Sequence, residues 1–132
     1  YQDAHNDTVI YLKRNGLKGS AAPYGIMIGY LSLRRNGDAD RAATFIKSWL
    51  KLLKPNEWST QILRYFAGEI SSDELLALAN DNDKQTEAHA YIGQILLADD
   101  RRPEALERFM WVKSNGNKTF VEYRLSVREL GR

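Results

Sequence analysis

Segment after segment of this chain repeats its apolar residues at intervals of three and four, and no run alternates apolar with polar long enough to make a strand. The clearest case runs from Asp38 or Ala39 to Leu53. There Ala42, Phe45, Ile46, Trp49, Leu50 and Leu53 form one stripe, and Pro55 ends it. A helix with such a stripe must bury it against another element, so the spacing predicts an all-α fold of helices packed on helices. At 132 residues and 43% hydrophobic content, residues 1–132 are expected to form a single domain. A chain of that size can bury a continuous core without a disulfide or metal, and it contains no cysteine.

About eight helices are expected. A first spans Asp7 to Asn15, closed by Asn15-Gly16, and a second runs from Pro23, in its first turn, to Asn36 before Gly37. After the stripe up to Leu53, Asn56 is the expected N-cap of a helix reaching Ala67, with Gly68 as its stop. Ser71-Ser72-Asp73-Glu74 reads as a capping box opening a short helix to Ala79. Asn80 to Gln85 reads as a loop, with Thr86 capping a helix that continues to Ala98. Pro103 opens the next, to about Ser114, and Thr119 to Leu130 closes the chain with Phe120, Tyr123, Val127 and Leu130 on one stripe.

The formal net charge of +2 conceals three blocks. Residues 1–55 carry +5, residues 56–100 carry −7, and residues 101–132 carry +4. An acidic block in the middle breaks the continuous basic face that a duplex binder needs, so nucleic acid is not expected as a partner, and other proteins or peptides are. The longest apolar stretches fall well short of the roughly 20 residues of a membrane-spanning helix.

Catalytic chemistry is also not expected. The two histidines, His5 and His89, have no second histidine at metal-ligand spacing, and no Gly-x-Ser-x-Gly elbow or glycine-rich phosphate loop is present. Asp81, Asp83 and Glu87 lack the glycine and terminal glutamate of a calcium loop. No metal and no cofactor is expected, and His89 reads as a packing residue, although Glu87 or Asp83 could pair with it.

The loop-joined helices raise the question of internal repeats. Gly93, Ala105, Phe109 and Val112 occupy the small and large packing slots of a tetratricopeptide hairpin, with Ile92 and Leu96 between them. An earlier copy offers Ala42, Ile46 and Trp49 in the second-helix slots, with Gly29 one residue early. Small residues let two antiparallel helices approach closely, and neighbouring hairpins must then stack to bury what each alone leaves exposed. From Glu57 to Leu130 the chain also resembles the NlpI-type family of tetratricopeptide lipoproteins from the outer membrane of Gram-negative bacteria. The resemblance rests on EWSTQILRYFAGEIS (Glu57 to Ser71), TEAHAYIGQILLADDRRPEAL (Thr86 to Leu106) and NKTFVEYRLSVREL (Asn117 to Leu130).

These resemblances imply a right-handed solenoid of stacked antiparallel hairpins, with repeats over about 23–54, 56–80 (shortened) and 86–116, and flanking helices at 7–15 and 119–130. They imply an adaptor that holds peptide segments or partner proteins, cell-envelope hydrolases or proteases among them, in a concave groove. The alternative is a purely structural spacer or dimerisation module of a longer repeat protein. No lipidation cysteine or signal segment is present, so membrane attachment is expected only through an anchor outside these residues. A periplasmic or outer-membrane location rests on the resemblance alone, and the lack of cysteine suits the cytoplasm equally.

In a tetratricopeptide hairpin the first helix lines the groove. This places Glu87, Tyr91, Gln94 and Leu97 there, with Gln61 and Arg64 from the preceding repeat and Tyr30 and Arg34 from the first. Tyr91 and Gln94 are the leading candidates, because tyrosine offers area with a hydroxyl and glutamine can pair with peptide backbone. Phe120, Tyr123 and Val127 on the last helix either cap the final hairpin or meet a second copy of the chain.

Overall fold

A computed structural model describes residues 21–132, so the helix expected over Asp7–Asn15 lies outside the described residues. Among them are seven helices and no strand: α1 (Ala21–Arg35), α2 (Ala39–Leu50), α3 (Trp58–Phe66), α4 (Ser72–Leu78), α5 (Asn82–Ala98), α6 (Arg102–Asn115) and α7 (Val121–Leu130). They fall into two compact units, the first ending at Ile70 and the second comprising Ser71–Arg132. The shortened repeat expected over 56–80 is thereby divided, α3 in the first unit and α4 in the second.

In the first unit each of α1, α2 and α3 packs on the other two. Ile26, Met27, Leu33, Ala42, Ile46, Ile62 and Leu63 are shut away from solvent at their centre. Burying the six larger of these side chains contributes roughly 1.5–3 kcal/mol apiece, which is what holds the three helices together. Met27 and Leu31, close to the face assigned to the groove, belong to this core.

Helix ends follow from backbone chemistry. Gly37 and Gly68 adopt φ of +84° and +80°, the left-handed conformation that lets the chain fold back over a helix terminus. The Asp38 amide then donates to the Leu33 carbonyl at 2.9 Å and the Glu69 amide to Arg64 at 2.9 Å. Asp100 closes α5 in the same way, with the Arg101 amide reaching the Leu96 carbonyl at 2.8 Å, but its φ of 63° carries a side chain. Asp100→Gly removes that steric cost and is expected to raise stability by about 1 kcal/mol, read as an increase in Tm.

Several expected boundaries shift. α2 ends at Leu50 rather than Leu53, because the Leu52 and Leu53 amides turn back to Trp49 and Leu50 in tighter bonds of 3.0 and 3.3 Å. α3 starts at Trp58 with Glu57, not Asn56, in the cap position. The Ser71 capping box forms with both bonds, 3.1 Å from the Glu74 amide to the Ser71 hydroxyl and 3.0 Å from the Ser71 amide to the Glu74 carboxylate. α5 begins four residues before Thr86, since Asp81 accepts from the Lys84 amide at 2.8 Å and is the better cap.

In the second unit α5 and α6 lie side by side, α7 packs on both and α4 packs on α5. Phe109 and Val112 are fully buried, as is Ala105. A β-carbon added to Gly93 would fall 2.5 Å from Phe109 Cε1, so glycine is what lets α5 meet that ring. Thr86, fully buried inside α5, accepts the Asn117 amide at 2.9 Å, while Asn117 Nδ2 donates to Asp83 at 2.9 Å. The loop between α6 and α7 is thus tied to the first turns of α5.

Candidate functional site

The residues assigned to a groove on the fifth helix lie inside the second unit. Glu87, Tyr91 and Gln94 are each less than a tenth exposed, and Leu97 is half-buried. The cause is α7. The Tyr91 hydroxyl donates to Glu122 Oε2 at 2.8 Å, a bond in which both groups are buried. Gln94 keeps its Oε1 buried with no hydrogen-bond partner among the described residues. Tyr91→Phe removes the donor from a buried carboxylate and is expected to cost about 1.5 kcal/mol, measurable by urea denaturation with unchanged helicity.

Helix α7 has an unusual polarity. Its buried residues are Glu122, Ser126 and Glu129, spaced four and three apart, with the Ser126 hydroxyl returned to the Glu122 carbonyl at 2.8 Å. The expected apolar stripe faces partly outward: Phe120, Tyr123 and Val127 are half-exposed, and Val121 is 49% exposed. The stripe therefore does not fold wholly back on the last hairpin.

In the first unit the assigned residues are engaged with one another. Tyr30 is buried, and its hydroxyl donates to the Phe66 carbonyl at 3.1 Å, one of the carbonyls left open at the end of α3. Arg34 donates to the same hydroxyl at 3.1 Å, and its guanidinium lies 5.9 Å from the ring centre. Gln61 spends its amide on the α2–α3 loop, donating to Pro55 and Glu57 carbonyls at 2.6 and 3.1 Å, while its Oε1 accepts from Arg64 at 2.9 Å. Thr60 adds a bond of 2.8 Å to the Lys54 carbonyl. The loop is thus held from below by two side chains of α3.

That pinned loop forms one wall of an open cleft of about 440 Å³ in this unit, lined by Lys47, Leu50, Lys51, Leu53, Pro55, Thr60, Arg64 and Glu69. Of the residues assigned to a groove from the sequence, Arg64 alone lines this cleft. Lys47, in the last turn of α2, and Lys51, its C-cap in helical conformation four residues on and therefore on the same side, were the available signal for the rest.

His89 is 7% exposed and stacks on Trp111, with ring centres 4.0 Å apart and planes within 15°. Arg108 Nη1 stands 3.4 Å from His89 Nδ1. Since a guanidinium can only donate, Nδ1 is the acceptor and the neutral ring carries its proton on Nε2. Burial, reinforced by the charge of Arg108, lowers the imidazole pKa to about 4. His89 contacts these packing residues rather than a carboxylate that would activate it. Among the described residues no group of three or more His, Cys, Asp or Glu is placed to hold a metal ion, and no helix is long and apolar enough to cross a membrane.

Fold and site together define an all-helical protein with a basic-rimmed cleft in one unit and, in the other, a helix whose apolar stripe is partly uncovered. Comparison with family models, curated proteins and solved structures finds no match.

Proposed function

We propose that the chain is a tetratricopeptide-like scaffold that holds segments of other proteins, in the manner implied by its resemblance to the NlpI-type lipoproteins. On this reading it is an adaptor and not an enzyme, and its α-helices form stacked hairpins. The observation that carries it is the contact at Gly93, where the missing side chain admits the Phe109 ring and Ala105 and Val112 fill the adjoining buried slots. Those are the positions that give a tetratricopeptide hairpin its close approach. The chain immobilised on a support is expected to retain peptidoglycan hydrolases or proteases from a Gram-negative envelope extract, with retention abolished when it is thermally unfolded. Retention equal to that of the unfolded control would remove the adaptor reading. Tyr91 and Gln94 are poor probes for this experiment because their replacement disturbs the second unit itself.

The second reading, a structural or dimerising module, is favoured by the half-exposed stripe of Phe120, Tyr123 and Val127 on α7. It expects a concentration-dependent dimer in sedimentation equilibrium that Val127→Asp turns into a monomer. A wild-type chain that stays monomeric at high micromolar concentration would leave this reading without support.

A further inference from the structure

We infer that the cleft between α2 and α3 docks an acidic peptide segment of another protein that also carries aliphatic side chains. The inference deepens the scaffold reading and rests on it. Three features of the cleft specify the occupant.

Its floor is apolar. Leu50, Leu53 and Pro55 line it, and the two leucines are only half-buried despite standing next to a core that has closed over Ile46 and Ile62. Aliphatic side chains laid on this floor would remove water from both surfaces, which is the main favourable term in such association. At about 440 Å³ the cleft falls in the range of sites that take a few side chains of a short segment rather than a whole helix.

Its rim is cationic. Lys47, Lys51 and Arg64 face it, against the single carboxylate of Glu69. That carboxylate already lies 3.4 Å from Arg64 Nε. Lys47 and Lys51 are exposed and form no ion pair among the described residues, although acidic side chains outnumber basic ones along residues 56–100. Two free ammonium groups one helical turn apart beside an apolar floor are matched by carboxylates flanking an apolar residue. The floor offers no aromatic ring for a base to stack on, which separates this surface from a single-strand nucleic-acid platform.

Its wall is rigid. Thr60 and Gln61 hold the Lys54, Pro55 and Glu57 carbonyls at 2.8, 2.6 and 3.1 Å, so the loop is ordered before anything binds. A preformed wall lowers the ordering cost of association.

The test selects a random dodecapeptide library displayed on phage against the full chain, with Lys47→Glu/Lys51→Glu as the counter-target. Both lysines are exposed, so the variant is expected to keep wild-type helicity, with Tm lowered by a few degrees because anions replace cations at the C-terminal end of α2. Enriched sequences should place Asp or Glu beside Leu, Ile or Val. A synthetic copy of one should bind the wild type and lose on the order of tenfold in affinity to the double variant, with a similar loss when its aliphatic residues become serine. Enrichment of neutral or basic sequences, no enrichment at all, or equal affinity for both proteins would overturn the proposal. So would a peptide whose aliphatic residues prove dispensable, which would mark the lysines as simple counter-charges. The two readings fail separately. Envelope partners retained equally by wild type and double variant, with no peptide selected, would end the cleft proposal and leave the scaffold standing; retention of nothing from the extract would end the scaffold reading.

Discussion

Gly93→Val is expected to lower the stability of the second unit by about 3 kcal/mol and Gly93→Ala by about 2, although either residue favours a helix more than glycine does. The argument turns on which neighbour could give way. A β-carbon at this position meets three atoms of the Phe109 ring at 2.5, 2.8 and 2.9 Å. At the rim of a protein a ring would swing aside, but Phe109 is completely buried, and Ala105 and Val112 on the same helix are buried with it. Either the ring leaves its rotamer or α5 and α6 move apart, and both open space elsewhere in a close-packed interior. Chemical denaturation of the two variants checks this. A paired substitution, Gly93→Ala with Phe109→Leu, should recover part of the loss if the ring is the obstacle. If Gly93→Ala is neutral or stabilising, the close approach is not what holds the hairpin.

Acid is expected to weaken the protein through one imidazole. His89 has its pKa lowered to about 4 in the folded chain, against an ordinary value of 6.5, chiefly by burial and secondarily by Arg108. Between these values the unfolded chain binds a proton that the folded chain refuses. The contribution of neutral His89 is therefore complete above about pH 6.5 and is lost progressively as the pH falls towards 4, amounting to about 3 kcal/mol at the acid end. Carboxylates titrate over the lower part of this range, so the quantity to measure is the difference between wild type and His89→Phe. Phenylalanine can still stack on Trp111 but cannot take a proton. The wild type should lose stability more steeply than the variant between pH 6.5 and 4, and parallel curves would show that the ring does not resist protonation.

The helical character of the chain and several of its stops were readable because each depends on a few neighbouring residues. The stripe of α2, the glycines after α1 and α3 and the Ser71 capping box act within one or two turns. What sequence reasoning misplaced depends on parts distant along the chain. Asp81 caps α5 in place of Thr86, whose hydroxyl instead serves the Asn117 amide 31 residues away. Tyr91 and Gln94 have the composition of a contact surface yet lie in the interior, and the partner that Tyr91 finds there is Glu122, 31 residues away on α7. The same helix misleads a reading by hydropathy, since the face it buries is Glu122, Ser126 and Glu129. The cleft was missed for a different reason. Lys47 and Lys51 look like ordinary solvated lysines until the loop at Pro55 is seen bent back beside them.

The pinned loop between α2 and α3 also governs how the chain meets proteases. Lys51 is exposed and offers trypsin a target where α2 gives way to a loop, whereas the bond after the equally exposed Lys54 is shielded by Pro55, since trypsin does not cut before proline. Cleavage, however, requires several residues to detach and lie extended in the enzyme, and here the Lys54, Pro55 and Glu57 carbonyls are each claimed by a side chain of α3. Nicking at Lys51 should therefore follow the opening of the α3 contacts rather than the accessibility of the lysine, and Gln61→Ala should shorten the lifetime of the intact chain under trypsin while leaving the target bond itself untouched.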